Sequence, residues 1–248
     1  MSVRPDDKDK IDRIIQQEPG VRIFLKPLAP PAALGLAGFA GSTWITASWI
    51  AGWWGNPSSP TVFFPFVAFW GGLAQFLAGL KGYPARDALV TVINVMWGSF
   101  WMSSGLLNLL VATGVIADHS IHEHFPELAA WFVVLSFFTW SGVIASAARD
   151  LVLCATLMTL AIGSTIACCL FAYGSGVEKG MKVAAYFWIV SAILAWWRVT
   201  VYLVEEAYGQ STIVRFFPIF RTSIEERKPL VVAGLGEPGV KRGMPGST

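Results

Sequence analysis

The sequence predicts an all-α integral membrane protein of six transmembrane helices, with both termini in the cytoplasm. Three observations carry that prediction. Hydrophobic residues make up 54% of the 248-residue chain and charged residues only 14%, a balance unlike that of a soluble domain coated in Lys and Glu. Six runs, 33–54, 61–82, 88–116, 128–148, 151–173 and 183–205, have the length and apolarity to cross a hydrocarbon core of about 30 Å. Fifteen of the eighteen Lys and Arg residues flank one side of these runs, while Lys179 and Lys182 alone flank the other. Cytoplasmic loops carry such an excess.

The runs fill the chain so closely that a separate soluble domain has no room. Residues 1–30 are read as a cytoplasmic arm, 31–220 as the six-helix domain and 221–248 as a tail whose Gly and Pro content favours disorder. Within the arm, residues 7–18 (DKDKIDRIIQQE) admit two readings, a short helix with Ile11, Ile14 and Ile15 on one face against an anionic leaflet, or a disordered segment. The first twenty residues are charged and lack the apolar stretch of a cleavable signal peptide, so insertion is expected to begin with the first span.

Small and polar residues mark the faces that look inward, because membrane helices associate through close backbone approach and hydrogen bonds. In the first span Gly35, Gly38, Ser42 and Thr46 repeat at helical spacing beside Phe39. The second puts Ala68, Gly72, Gln75 and Gly79 on one face. The third aligns Asn94, Gly98, Trp101, Gly105 and Asn108, with Trp97 one turn from Asn94. The fifth aligns Thr156, Thr159 and Gly163, and it also holds Cys154, Cys168 and Cys169, which read as apolar filler there and not as a disulfide framework.

These stripes have two readings. Helix-packing seams alone account for the glycines. The amides Gln75, Asn94 and Asn108, sharing faces with the aromatics Phe39, Trp97 and Trp101, fit a path for a small polar solute, in which a few hydrogen-bonding groups alternate with apolar constrictions.

Apart from Lys81 and Glu205 at the very ends of their runs, charge inside the spans is confined to Arg198. Its bland reading is a side chain that snorkels to the cytoplasmic interface with help from Glu205 or Glu206. Its functional reading is a positive locus for an anion. With no carboxylate or His expected inside the spans, a dedicated proton relay is not expected. Any coupling to protons then rests on the ionisation of the solute itself or on groups at the mouths.

The loop 118–125 (DHSIHEHF) gathers His119, His122 and His124. It reads first as a polar loop, second as a pH-sensitive patch and last as a metal site, since its spacing fits no common ligand pattern. Asn56 is followed by Pro57 and is no glycosylation acceptor. No nucleophile, metalloprotease or phosphate-loop motif is present, so no enzymatic activity and no cofactor are expected. No basic run interleaved with aromatics points to nucleic acid.

Three motifs bear a family resemblance. The stretch 69–79 (FWGGLAQFLAG) resembles the FYGGxAQxxAG signature of the acetate uptake transporter family, also called GPR/FUN/YaaH. Residues 34–39 (LGLAGF) resemble the end of its first-helix NPAPLGLxxF motif, 97–101 (WGSFW) its third-helix SYGSFW motif, and Arg215–Pro218 (RFFP) more weakly its closing LP segment. The resemblance spans roughly residues 27–220.

It implies a homohexamer with a pore in each protomer, moving acetate or related short monocarboxylates through the bilayer, as an anion channel or by proton symport. It also implies a narrow ring formed by Phe39, Trp97 and either Leu157 or Met158, with Gln75 near the path. Polar lining is expected from Asn94, Asn108 and Thr156. Two departures bear on substrate. The family's Asn-Pro-Ala-Pro stands here as Pro30-Pro31-Ala32-Ala33, which removes an amide, and its Tyr is Trp97, which removes a hydroxyl and adds bulk. Ammonia or ammonium export, and a membrane sensor that kept the fold without transporting, stand as alternatives. The plasma membrane is the expected location.

Overall fold

The computed structural model describes residues 29–85, 87–117, 123–208 and 216–226. His119 and His122, residues 1–28 of the arm and most of the tail lie outside the described residues. Six long helices follow one another: α1 (Pro31–Ile50), α2 (Pro60–Lys81), α3 (Ala88–Ala112), α4 (Pro126–Ser146), α5 (Leu151–Tyr173) and α6 (Val177–Tyr208), with a last turn α7 (Ser223–Glu226).

Local chemistry sets the helix ends. Proline occupies the first turn of α1, α2 and α4, where its missing N–H is no loss and its fixed φ suits a helix start. Asp87 caps α3 by accepting from the Val90 N–H at 2.9 Å, and Asp150 caps α5 by accepting from that of Leu153 at 2.8 Å. Helix α5 stops at Gly174, whose φ of 70° is left-handed.

Each helix packs on its chain neighbours, and α1 returns against α6, which closes the six into a ring. One central core runs through it, including Phe39, Trp97, Phe132, Leu157, Leu160, Phe171, Met181 and Trp188. The outer face is apolar as well, with Phe66, Phe69, Val133, Phe137, Ile144, Ile193 and Trp196 exposed. A surface of that kind suits lipid.

Five of the helices, α2 to α6, are long and apolar enough to span a bilayer. Helix α1 is not among them. It carries Gly35, Gly38, Gly41, Ser42, Thr43, Thr46 and Ser48 in 20 residues, which lowers its apolarity, yet it is a member of the ring, packed between α2 and α6.

Helix α2 is not a uniform α-helix. Its middle, Ala68–Ala74, is π-helical, and this segment coincides with the family-like stretch containing Gly71 and Gly72. A π-turn inserts an extra residue per turn and re-aims the side chains that follow. The glycines allow close approach here: a Cβ on Gly98 of α3 would fall 2.6 Å from the Phe76 nitrogen and 2.9 Å from the Gly72 oxygen. The stripe of Gly72, Gly79, Gly98 and Gly105 is therefore the α2–α3 seam, where each glycine faces the partner helix.

Past α6, residues 216–222 fold back over the ends of α5 and α6. Ile219 is buried with Val152 and Val201, Phe217 packs on Trp197, and the Thr222 N–H donates to the Arg149 carbonyl at 2.7 Å. Residues 221 and 222, which the sequence places at the start of the tail, thus bond to the end of the helical domain.

Candidate functional site

Two cavities lie within the ring. The larger, of ≈ 990 Å³, opens at the end bearing the α1–α2 and α3–α4 loops and is walled by Thr43, Thr46, Trp101, Asn108, Phe132 and Trp188, among others. The smaller, of ≈ 30 Å³, lies toward the opposite end and is walled by Phe39, Gln75, Asn94, Thr156, Leu157, Arg198 and Tyr202, among others. Trp97 and Leu160 line both cavities and stand between them.

The partition is buried and apolar. Phe39, Trp97, Leu157 and Leu160 are 3%, 2%, 3% and 2% exposed. Phe39 and Trp97 meet edge to face with ring centroids 6.4 Å apart, a favoured aromatic geometry. Trp97 Nε1 donates to Thr139 Oγ1 of α4 at 3.0 Å, and Thr139 Oγ1 in turn donates to the Leu135 carbonyl at 2.6 Å. The indole is thereby held in one orientation. Of the two fifth-helix candidates, Leu157 faces this partition, while Met158 is 42% exposed on the outside of the ring; one residue of helix rotation, about 100°, separates them.

The polar candidates divide between the cavities. Asn108 donates to the Ser104 carbonyl at 2.8 Å and lines the large cavity. Gln75, Asn94 and Thr156 line the small one. Asn94 Nδ2 donates to the Val90 carbonyl at 2.9 Å, so its Oδ1 is an acceptor, and Gln75 Nε2 donates to it at 3.4 Å. That leaves Gln75 Oε1 buried and without a partner among the described residues. Thr156 Oγ1 is spent on its own helix, donating to the Val152 carbonyl at 2.8 Å.

Arg198 departs from both sequence readings. Its Nη1 pairs with the Asp150 carboxylate, and the two side chains are 8% and 2% exposed. A buried carboxylate is therefore present at the start of α5, just outside the span 151–173 in which none was expected. Asp150 looks like a loop residue in the sequence, but the C-terminal segment covers it, with Arg221 bridging its backbone. Glu205 instead pairs with Arg221 at 2.6 Å, so Arg198 is neither a bare positive locus nor a snorkelling side chain. Arg198 Nη2 donates to Tyr202 Oη at 2.8 Å, and Arg149 makes a two-pronged contact with Asp87, both at 2.6 Å.

Thr139, Leu160, Asp150 and Tyr202 escaped the sequence reading. Only Asp150 carried a signal, as an acid immediately before an apolar run, the pattern of an N-cap. Cys154, Cys168 and Cys169 are free thiols. Among the described residues, no group of three His, Cys, Asp or Glu side chains is placed to hold a metal.

A ring of apolar helices that encloses two cavities defines an integral membrane protein. The GPR1/FUN34/yaaH family model matches residues 16–218, and the chain belongs to that family. Its fold is similar to the solved structure of the bacterial acetate channel SatP, with a TM-score of 0.66 at 21% sequence identity over 77% of this chain and 99% of that one. At that identity the likeness speaks for the fold. No curated protein sequence matches the chain.

Proposed function

We propose that each protomer conducts acetate or a similar short monocarboxylate across the membrane along the line from the large cavity, past Trp97 and Leu160, to the small one. The observation that carries this reading is the partition itself: two cavities meet at Trp97 and Leu160, with Phe39 and Leu157 on the small-cavity side, and apart from the Trp97 N–H, which is spent on Thr139, the hydrogen-bonding groups stand on either side of this neck. An apolar neck stops bulk water while passing a solute that sheds little hydration. Family membership and the fold of an acetate channel support the same reading.

The path requires α1 to cross the bilayer as the sixth span, packed between α2 and α6. The Lys and Arg asymmetry supports cytoplasmic termini, which turns the large cavity outward. The family resemblance supports a homohexamer, and the plasma membrane is the proposed location. Phe39, Trp97 and Leu157, joined by Leu160, form the filter. Asn108 serves the outer cavity and Gln75, Asn94 and Thr156 the inner one.

The test is initial uptake of labelled acetate into proteoliposomes of the full-length protein, with butyrate, succinate and ammonium in parallel and protein-free vesicles subtracted. Saturable acetate flux is expected, and Phe39→Ala, which removes one wall of the neck, should admit butyrate. Ammonium flux without acetate flux would favour the export alternative. No flux at all from assembled protein would favour a sensor.

A further inference from the structure

Residues 216–222, the strap that folds back over the ends of α5 and α6, combine exposed aromatic rings with a forced backbone. Phe216 and Phe220 are 72% and 65% exposed, while between them Phe217 packs on Trp197 with ring centroids 5.2 Å apart and Ile219 is buried with Val152 and Val201. Among the described residues Phe220 is the one non-glycine with a positive φ, 52°. A bulky residue in the left-handed region is an outlier that persists only where its surroundings hold it. The turn brings the Phe220 carbonyl within 3.2 Å of the Leu151 nitrogen, whose N–H donates to it, and leaves the ring on the outside.

The depth of the strap says what that outside is. Lys182 marks one end of the apolar stretch of α6, and Val201 lies 19 residues further on, about 29 Å of helix rise against a hydrocarbon core of about 30 Å. The charge between them, Arg198, is turned inward onto Asp150. Phe217 at the level of Trp197 and Ile219 at the level of Val201 therefore stand at the edge of the hydrocarbon. Irregular backbone is tolerated at such depth where its polar groups are met, and the helix ends meet those of the strap: Trp197 Nε1 donates to the Pro218 carbonyl at 3.1 Å, and the Thr222 N–H donates to that of Arg149 at 2.7 Å.

Polarity changes along the strap as it does across a bilayer surface. Its first five residues, 216–220, are apolar, and Arg221 then pairs with Glu205, the two side chains being 43% and 28% exposed. The apolar part continues the outer wall of the ring, where Leu151 and Trp196 are exposed.

We propose that the strap is an interfacial anchor whose partner is phospholipid. Phe216 and Phe220 enter the boundary between headgroups and acyl chains, the depth at which Trp, Phe and Leu of interfacial segments sit. This seating holds Phe220 in its left-handed turn and keeps the strap on the α4–α5 corner, residues 148–150. The cover over Asp150 then depends on the lipid, whatever solute crosses the protomer.

The test uses the full-length protein in phospholipid nanodiscs that carry a photoreactive diazirine either near the ester or at the end of the acyl chain, with labelled residues mapped by mass spectrometry. Phe216 and Phe220 should take up the shallow probe several-fold more than the deep one, and should be protected from hydroxyl radicals generated in the water. Absence of lipid labelling at these positions would overturn the inference, with radical oxidation there pointing to a solvated loop and cross-links to a second copy pointing to a protein interface.

A variant supplies the sign of the effect. Asn tolerates the left-handed backbone far better than Phe, so Phe220→Asn removes the strain and the ring together. With the ring seated in lipid, the Leu151 and Thr222 amides, which the seated strap protects, should exchange with deuterium several-fold faster in the variant. Unchanged or slower exchange would show that the ring contributes nothing to the seating and would overturn the inference. Labelling of the unaltered protein decides the matter should the variant not assemble.

Discussion

Thr139→Val tests whether the neck works through a held aromatic ring. Thr139 and Trp97 are 0% and 2% exposed, and the indole N–H has Thr139 Oγ1, at 3.0 Å, as its bonded partner. Valine keeps the shape and removes the acceptor, so the indole N–H is left buried and unpaired or the ring turns away. Side-chain hydrogen bonds in membrane bundles average about 0.6 kcal/mol and reach about 1.7, while a stranded buried donor costs about 1–3 kcal/mol. An effect of about 1–2 kcal/mol changes the population of the seated ring by a factor of roughly 5–30. The assay is the ratio of butyrate to acetate uptake in proteoliposomes, measured for Thr139→Val, Trp97→Phe and the pair. If the bond seats the ring, each single change raises the ratio and the double adds little beyond either, because both remove the same bond. Additive effects, or an unchanged ratio from a folded Thr139→Val protein, would refute the reasoning.

Two more outcomes follow from the same geometry. Leu160→Ala should join the two cavities and raise uptake of larger acids, whereas Met158→Ala, on the exposed outer face of the same helix, should leave selectivity unchanged; uptake of a graded series of acids separates the two. Gly98→Ala should lower stability by about 1–3 kcal/mol, the usual range for overpacking, because the new methyl would meet α2 backbone at 2.6 and 2.9 Å; thermal unfolding in detergent measures it.

What the sequence determined by itself was everything periodic and local. Run length and apolarity located the helices to within six residues at either end, because crossing hydrocarbon demands an unbroken hydrogen-bonded helix. Gly72, Gly79, Gly98 and Gly105 announced a seam, since only small residues let two backbones come so close. Motif order placed Phe39, Trp97 and Gln75 on inward faces, where the tertiary structure also puts them.

Tertiary structure decided what joins residues far apart in the chain. Asp150 and Arg198 lie 48 positions apart, and nothing in either one's neighbours says that α6 will lay its guanidinium on the cap of α5. Thr139 is one of many Thr residues until the fold sets it under the Trp97 indole, 42 positions away. The π-helical turn in α2 escaped for a related reason: periodicity assumes a constant 3.6 residues per turn, and the extra residue is tolerated only where neighbouring helices hold it. The charge of the small cavity was decided in the same way, because a formal charge belongs to a residue, whereas its compensation belongs to the fold.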